Sequence, residues 1–242
     1  MGLGRQLVRR IMTTCLPPSR WLVRGSRRAT ESPAISLTFD DGPHPEHTPR
    51  VLDALARWNA VGTFFVIGQA AATYPDLIAR MLAEGHTLGN HTWTHQEPSA
   101  TPTREFLAEV AQTDSWLSYQ TGFRPRWMRP PKGELTWGKL RGLWQSGHTV
   151  SLWNVDPRDY RMTSTADVAR WASAYRPQTG DILLLHDRLP WAAQIVDALG
   201  SRGCLDAFRS VSLDVWLSAE KKTSARPIPP VSLNRNVAAA SR

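Results

Sequence analysis

The sequence predicts an α/β fold: one domain in which about seven parallel strands form a closed or nearly closed barrel covered by outer helices. Short apolar runs alternate with helix-like stretches along most of the chain, as in a parallel sheet covered by helices. The 242 residues suit one such domain, since α/β barrels commonly reach this length as a single unit. The acids, histidines and arginine with chemical potential recur at strand ends, the edge where a parallel α/β barrel builds its active site. A doubly wound open sheet is the alternative arrangement of the same elements.

In chain order, "AISLTF" (34–39) reads as a buried strand that stops at the turn signal Asp40-Asp41-Gly42-Pro43. Residues 48–59 read as a helix, with Thr48 as N-cap and Pro49 at the first helical position. "GTFFVIG" (62–68) is a strand, and 75–84 a helix closed by Gly85. "HTLGNH" (86–91) is a short strand, followed by the longest helical stretch, 103–120, closed by Gly122. "RWMRPP" (126–131) is a strand stopped by two prolines, and 136–146 a helix closed by Gly147. "TVSLWNV" (149–155), 164–174 and "DILLLHD" (181–187) give strand, helix and strand. A last helix near 190–200 and a strand near 208–216 complete the set.

The net charge of +8 is uneven. Residues 1–28 hold seven arginines and no acid, and 221–242 hold five basic residues and no acid. The segment between, 29–220, has 17 basic and 21 acidic residues. The expected organisation is a basic N-terminal extension (1–30), one folded domain (31–218) and a basic tail (219–242). A nucleic-acid-binding domain would need its basic patch on the folded face, so that class is excluded. The basic ends suit solvated tails or weak contact with an anionic membrane or wall polymer. The basic N-terminus is not followed by the apolar stretch of a secretory leader, and no run is long enough for a membrane-spanning helix. Cys15 and Cys204 are compatible with one disulfide or none.

The chemistry converges on "HTWTH" (91–95). Two histidines four apart can meet one ion from a helical turn or a tight loop, although alone they are a weak signal. A catalytic zinc-type site needs three protein ligands and one open position, and Asp41, His91 and His95 supply three. Asp40, beside Asp41, can serve as a proton-accepting base, with Arg129 to orient it and keep it ionised. His186, after the apolar "ILLL", can act as a general acid with Asp156 as its orienting carboxylate. Asp159 is left between two readings, a bond to Arg129 or a turn cap. His44 and His47 read as loop residues. Trp93 is expected to pack under the histidine loop; Trp93, Trp137 and Trp153 offer rings for sugar stacking, though most of the 11 tryptophans must be core.

Five motifs stand in order: "TFDDGP" (38–43), "HTWTH" (91–95), "RPPKG" (129–133), "DPRDY" (156–160) and "LLHD" (184–187). In these the chain resembles the polysaccharide deacetylase family, carbohydrate esterase family 4, with its NodB homology domain. The resemblance implies a distorted (β/α) barrel and metal-dependent removal of N-acetyl groups from N-acetylglucosamine-containing glycans of chitooligosaccharide or peptidoglycan type. It implies Asp40 as base, held by Arg129; Asp41, His91 and His95 as ligands of a divalent metal, zinc first, with cobalt or another ion as substitute; and His186 as acid, tuned by Asp156. It further implies that the backbone N–H at Lys132 helps to stabilise the oxyanion and that Tyr160 and Leu184 wall the acetyl pocket. Two departures stand out. Lys132 replaces an aromatic, which suggests an anionic substrate, and Tyr160 replaces a tryptophan. An O-acetyl esterase on xylan-type glycan and a catalytically silent sugar-binding protein are the alternatives. The family implies an envelope or extracellular location, with the cytoplasm left open.

Overall fold

The computed structural model describes residues 12–217. The strands are β1 (Trp21–Leu22), β2 (Ala34–Asp40), β3 (Gly62–Val66), β4 (Thr87–Asn90), β5 (Trp127–Met128), β6 (Thr149–Ser151), β7 (Ile182–His186) and β8 (Arg209–Ser210). The helices are α1 (His47–Arg57), α2 (Gly68–Thr73), α3 (Pro75–Ala83), α4 (Thr103–Thr121), α5 (Trp137–Gln145), α6 (Thr165–Ala174), α7 (Trp191–Ser201) and α8 (Cys204–Ala207). Seven parallel strands run in the order β1-β6-β5-β4-β3-β2-β7, and β8 pairs with the start of β2. The end strands β1 and β7 share no ladder. Instead Gly25 N–H donates to the Gly180 carbonyl at 2.8 Å, and Val155, beyond β6, bridges Leu183 of β7. The result is the distorted barrel of about seven units that the sequence predicts.

β2 shows how the sequence builds two layers. Ile35, Leu37 and Phe39 pack with Val51, Leu52 and Leu55 of α1 and with Ile195, Val196 and Leu199 of α7. Each side chain buried in this way contributes roughly 1.5–3 kcal/mol. The alternate residues Ser36, Thr38 and Asp40 point to the opposite face, as period-two pleating requires. There they are satisfied: Ser36 Oγ donates to the Val211 carbonyl (2.7 Å) and accepts from Trp216 Nε1 (2.8 Å), while Thr38 and Asp40 meet Arg129. A strand buried on both faces thus carries an apolar row toward the helices and a polar row toward the interior.

The basic N-terminal extension does not reach residue 30. Trp21, Leu22 and Val23 are buried, and the first two form β1, with Trp21 opposite Val150 and Leu22 opposite Ser151. The flanking arginines obscured this apolar triplet because they stay at the surface. Arg24, for example, donates to Gln178 at 2.7 Å and lies 3.4 Å from Asp181. Residues 1–11 and the expected tail lie outside the described residues.

Most expected elements are present with shifted ends. Helix α1 begins at His47, and Thr48 is not its N-cap. The Thr48 hydroxyl instead accepts from His44 N–H (2.8 Å) and donates to Asp187 (2.5 Å). The expected strand 149–155 shortens to β6, and 208–216 shortens to β8 followed by a 3-10 turn at Leu213–Leu217. The short helix α2 has no counterpart in the sequence reading. Cys15 and Cys204 are both free thiols. Among the described residues, no helix is long and apolar enough to cross a membrane.

Candidate functional site

The parallel strands deliver their C-terminal ends to one rim. β2 ends at Asp40, in register with Phe65 of β3 and His186 of β7. β4 ends at Asn90 and leads directly into His91. β5 ends at Met128, one residue before Arg129. The loops that leave this rim are tightly constrained. Five non-glycine residues in them have positive φ: Asp41 (74°), Thr92 (67°), His95 (57°), Lys132 (56°) and Arg158 (59°). Each such left-handed residue costs on the order of 1–3 kcal/mol and persists only where its surroundings hold it.

"HTWTH" is a loop rather than a helical turn. Thr92 Oγ1 accepts from His95 N–H at 3.1 Å, which folds the loop back so that the two imidazoles face each other with centroids 4.9 Å apart. His91 Nδ1 lies 2.6 Å from the Arg129 carbonyl; as donor to that oxygen it leaves Nε2 facing Asp41. Asp41 Oδ1 is 3.3 Å from His91 Nε2 and 3.2 Å from His95 Nε2. It is buried and makes no hydrogen bond of acceptable angle. Two donors held at about 2.0–2.1 Å by a tetrahedral ion stand about 3.3 Å apart, so these spacings suit one shared cation. The three donor atoms lie within 4.8 Å of one another. Burial opposes a charge on Asp41, but the adjacent His91 imidazole, with His186 and His95, holds its carboxyl well below the usual range. Burial and the neighbouring His91 lower His95. His91 is raised despite its burial, by Asp40 and Asp41.

On one side of this triad, Asp40 Oδ1 accepts from Arg129 Nη1 at 2.6 Å, while Asp40 Oδ2 lies 3.8 Å from His91 Nε2. Arg129 is 0% exposed. Its remaining donors reach Thr38 Oγ1 (2.8 Å), the Ser151 carbonyl (3.1 Å) and the Leu152 carbonyl (3.0 Å), and its guanidinium lies over the Phe65 ring at 4.1 Å. A buried cation this fully bonded fixes one carboxylate oxygen of Asp40 and leaves the other to the rim.

On the other side, His186 pairs with a different carboxylate from the one expected from the sequence. Asp159, not Asp156, is its partner: Asp159 Oδ1 lies 2.6 Å from His186 Nδ1, and Asp159 Oδ2 accepts from His186 N–H at 2.7 Å. Asp156 Oδ1 accepts from Arg158 N–H at 2.8 Å and builds the turn. That turn, with Arg158 in the left-handed region and a 3-10 step over Asp159–Arg161, swings residue 159 inward. The Asp-Pro pair marks the turn in the sequence, but nothing there says which of the two carboxylates it brings to His186. Burial lowers His186, but Asp159, with Asp40 and Asp41, outweighs it and raises the imidazole to about 9.

Tyr160 is 47% exposed, and its ring stands edge-on to His186 with centroids 5.6 Å apart. Leu184 is buried two residues before His186, on the same face of β7. Lys132 is exposed, and its ammonium pairs with Glu97 from the far side of the histidine loop. This exposed pair offsets the lysine charge only weakly.

Several contributors escaped sequence reasoning. Arg188 Nε donates to Asp41 Oδ2 at 2.7 Å, so the two oxygens of Asp41 are divided between Arg188 and the histidines. Asp187 is buried, with burial pushing it up to about 7. It packs so closely on Gly42 that a Cβ there would sit 2.0 Å from its carboxylate. Trp93 packs against Gly68, where a Cβ would sit 2.3 Å from the indole, so the ring lies under the loop as expected. His44 and His47 stack 4.5 Å apart, and His44 Nδ1 accepts two N–H groups of the first turn of α1. Trp153 is buried beside Arg129, whereas Trp137 is 65% exposed.

Residues 27–151 match the family model described as polysaccharide deacetylase. A chitooligosaccharide deacetylase of Sinorhizobium fredii is 40% identical over 166 residues, 68% of this chain and 76% of that one. The peptidoglycan-N-acetylmuramic acid deacetylase PdaC of Bacillus subtilis is 31% identical over 194 residues, 79% of this chain and 40% of that one. The solved PdaC structure superposes with a TM-score of 0.72 at 30% identity, covering 80% of this chain and 94% of that chain. The chain spans less than half the length of the peptidoglycan deacetylases it matches. A family model that covers half of the sequence, a relative 40% identical and a shared barrel lead to one conclusion: the chain belongs to the polysaccharide deacetylase family.

Proposed function

We propose that the chain is a metal-dependent hydrolase that removes N-acetyl groups from N-acetylglucosamine-containing glycans of peptidoglycan or chitooligosaccharide type. The observation that carries this reading is the buried, unbonded Asp41 Oδ1 between His91 and His95, flanked by Asp40–Arg129 on one side and His186–Asp159 on the other. Asp41, His91 and His95 would hold a divalent ion, zinc first. When bound, the ion supplies Lewis acidity toward the amide carbonyl and the attacking water.

The chain's own residues do the rest. Asp40 accepts a proton from the water through Oδ2, while Arg129 holds Oδ1 and aims the carboxylate. The tetrahedral oxyanion needs donors, and the backbone N–H of Lys132 is assigned to it. His186 holds the proton on Nε2, because Asp159 fixes Nδ1–H, and delivers it to the departing amine nitrogen. Tyr160 and Leu184 wall the site for the acetyl methyl.

Acetate release from chitooligosaccharides, peptidoglycan and acetylated xylan, with zinc or cobalt supplied, tests the reading. Wild type should turn over N-acetylated glycan and Asp40→Asn should not. No acetate from any glycan, or equal rates for the two proteins, would overturn it. Release from xylan alone would instead establish the O-acetyl esterase.

A further inference from the structure

The loop that carries His91 and His95 is pinned from outside by α4. Asn90 Oδ1 accepts from the Thr92 N–H at 2.8 Å, which holds the backbone where φ is +67°. Asn90 is fully buried, and its amide is itself fixed: Nδ2 donates to Asp114 Oδ1 at 2.8 Å and to the Val110 carbonyl at 2.9 Å, both on α4. Asp114 is held in turn by Arg124 through two bonds (2.8 and 2.6 Å) and by His148 at 3.1 Å. One turn earlier on α4, Glu109 grips the other half of the loop. Oε2 accepts from Thr94 N–H at 3.1 Å, and Oε1 accepts from the Thr94 hydroxyl. Among the described residues, the side chains of Asn90, Asp114 and Glu109 bond to Thr92, Thr94, Val110, Arg124 and His148 rather than to Asp41, His91 or His95.

We propose that Asn90, backed by Asp114, and Glu109 are positioning residues that set the spacing of His91 and His95 and so the metal affinity of the site. The inference rests on the metal-dependent reading above. A β-branched residue in the left-handed region relaxes once its holding bond is removed. Relaxation at Thr92 separates two histidines whose donors must both approach Asp41 Oδ1. Partners that orient metal ligands without binding the metal typically account for about tenfold or more in affinity.

The test compares zinc affinity, by competition with a chromophoric chelator, and amide hydrogen exchange of segment 91–95 in zinc-free protein. The variants are Asn90→Ala, Glu109→Ala and Glu109→Gln. Leu117→Ala, a core cavity on the same helix away from the loop, shows what mere destabilisation does. Asn90→Ala and Glu109→Ala should each weaken zinc about tenfold and speed exchange in 91–95. Glu109→Gln, which keeps one acceptor, should fall between Glu109→Ala and wild type. Leu117→Ala should lower Tm with zinc affinity unchanged. Wild-type affinity and exchange in Asn90→Ala and Glu109→Ala overturn the inference and leave the metal reading standing. Failure of the wild type to bind zinc overturns both.

Discussion

Asp159 engages His186 twice, through Nδ1 of the ring and through the backbone N–H. This double contact fixes both the ring orientation and the tautomer and raises the imidazole to about 9 in spite of burial. In Asp159→Asn the carboxylate is gone while burial still depresses the ring. The alkaline limb of kcat/KM, expected to report loss of the His186 proton, should therefore move down from near pH 9, with Asp40 and Asp41 still opposing the burial. Asp156→Asn should leave that limb in place. A wild-type pH profile for Asp159→Asn would contradict the assignment.

The same pair predicts a stability profile. A histidine whose folded pKa is raised contributes stability that is complete below its unfolded value, about 6.5, and is lost as pH rises through about 9. Wild type should lose Tm across that window, and Asp159→Asn should lose less. The measurement is calorimetry from pH 6 to pH 10.

Arg129 and Asp40 form a buried ion pair with every visible guanidinium bond directed into the protein. Arg129→Leu leaves Asp40 buried without its counterion, which should cost about 3–5 kcal/mol in chemical denaturation as well as activity. Asp40→Asn keeps the packing. It should lose about 10²–10⁴-fold in turnover with zinc affinity near wild type.

Gly180 has φ +91°, and a Cβ there would sit 2.1 Å from the Gly25 carbonyl. Gly180→Ala should force apart the seam between β1 and β7 and destabilise the protein by about 1–3 kcal/mol. If residues before 31 were a dispensable extension, the substitution would do little. Denaturant unfolding distinguishes the two.

The sequence made the barrel legible because apolar strand and helix runs alternate cleanly from residue 34 to residue 201, and the glycines at 85, 122 and 147 mark real helix ends. β1 was hidden because exposed arginines flank its two residues and charge counting weighs every arginine equally. That Asp41, His91 and His95 come together was legible, because their residue types and strand-end positions suit one shared ion. The partner of His186 was not, since choosing between Asp156 and Asp159 depends on the left-handed Arg158 between them. Arg188 and Glu109 act across long sequence distances, and nothing local distinguishes them from other surface charges.

On the proposed reading, one divalent ion held by Asp41, His91 and His95 makes this chain a deacetylase. The most direct measurement strips the protein with chelator and titrates zinc while following acetate release from a chitooligosaccharide. Activity should be absent after stripping and should rise to a plateau at one zinc per chain, with no recovery in His91→Ala or His95→Ala at the same zinc concentration. Full activity in the stripped protein, or wild-type recovery in either histidine variant, would contradict the account.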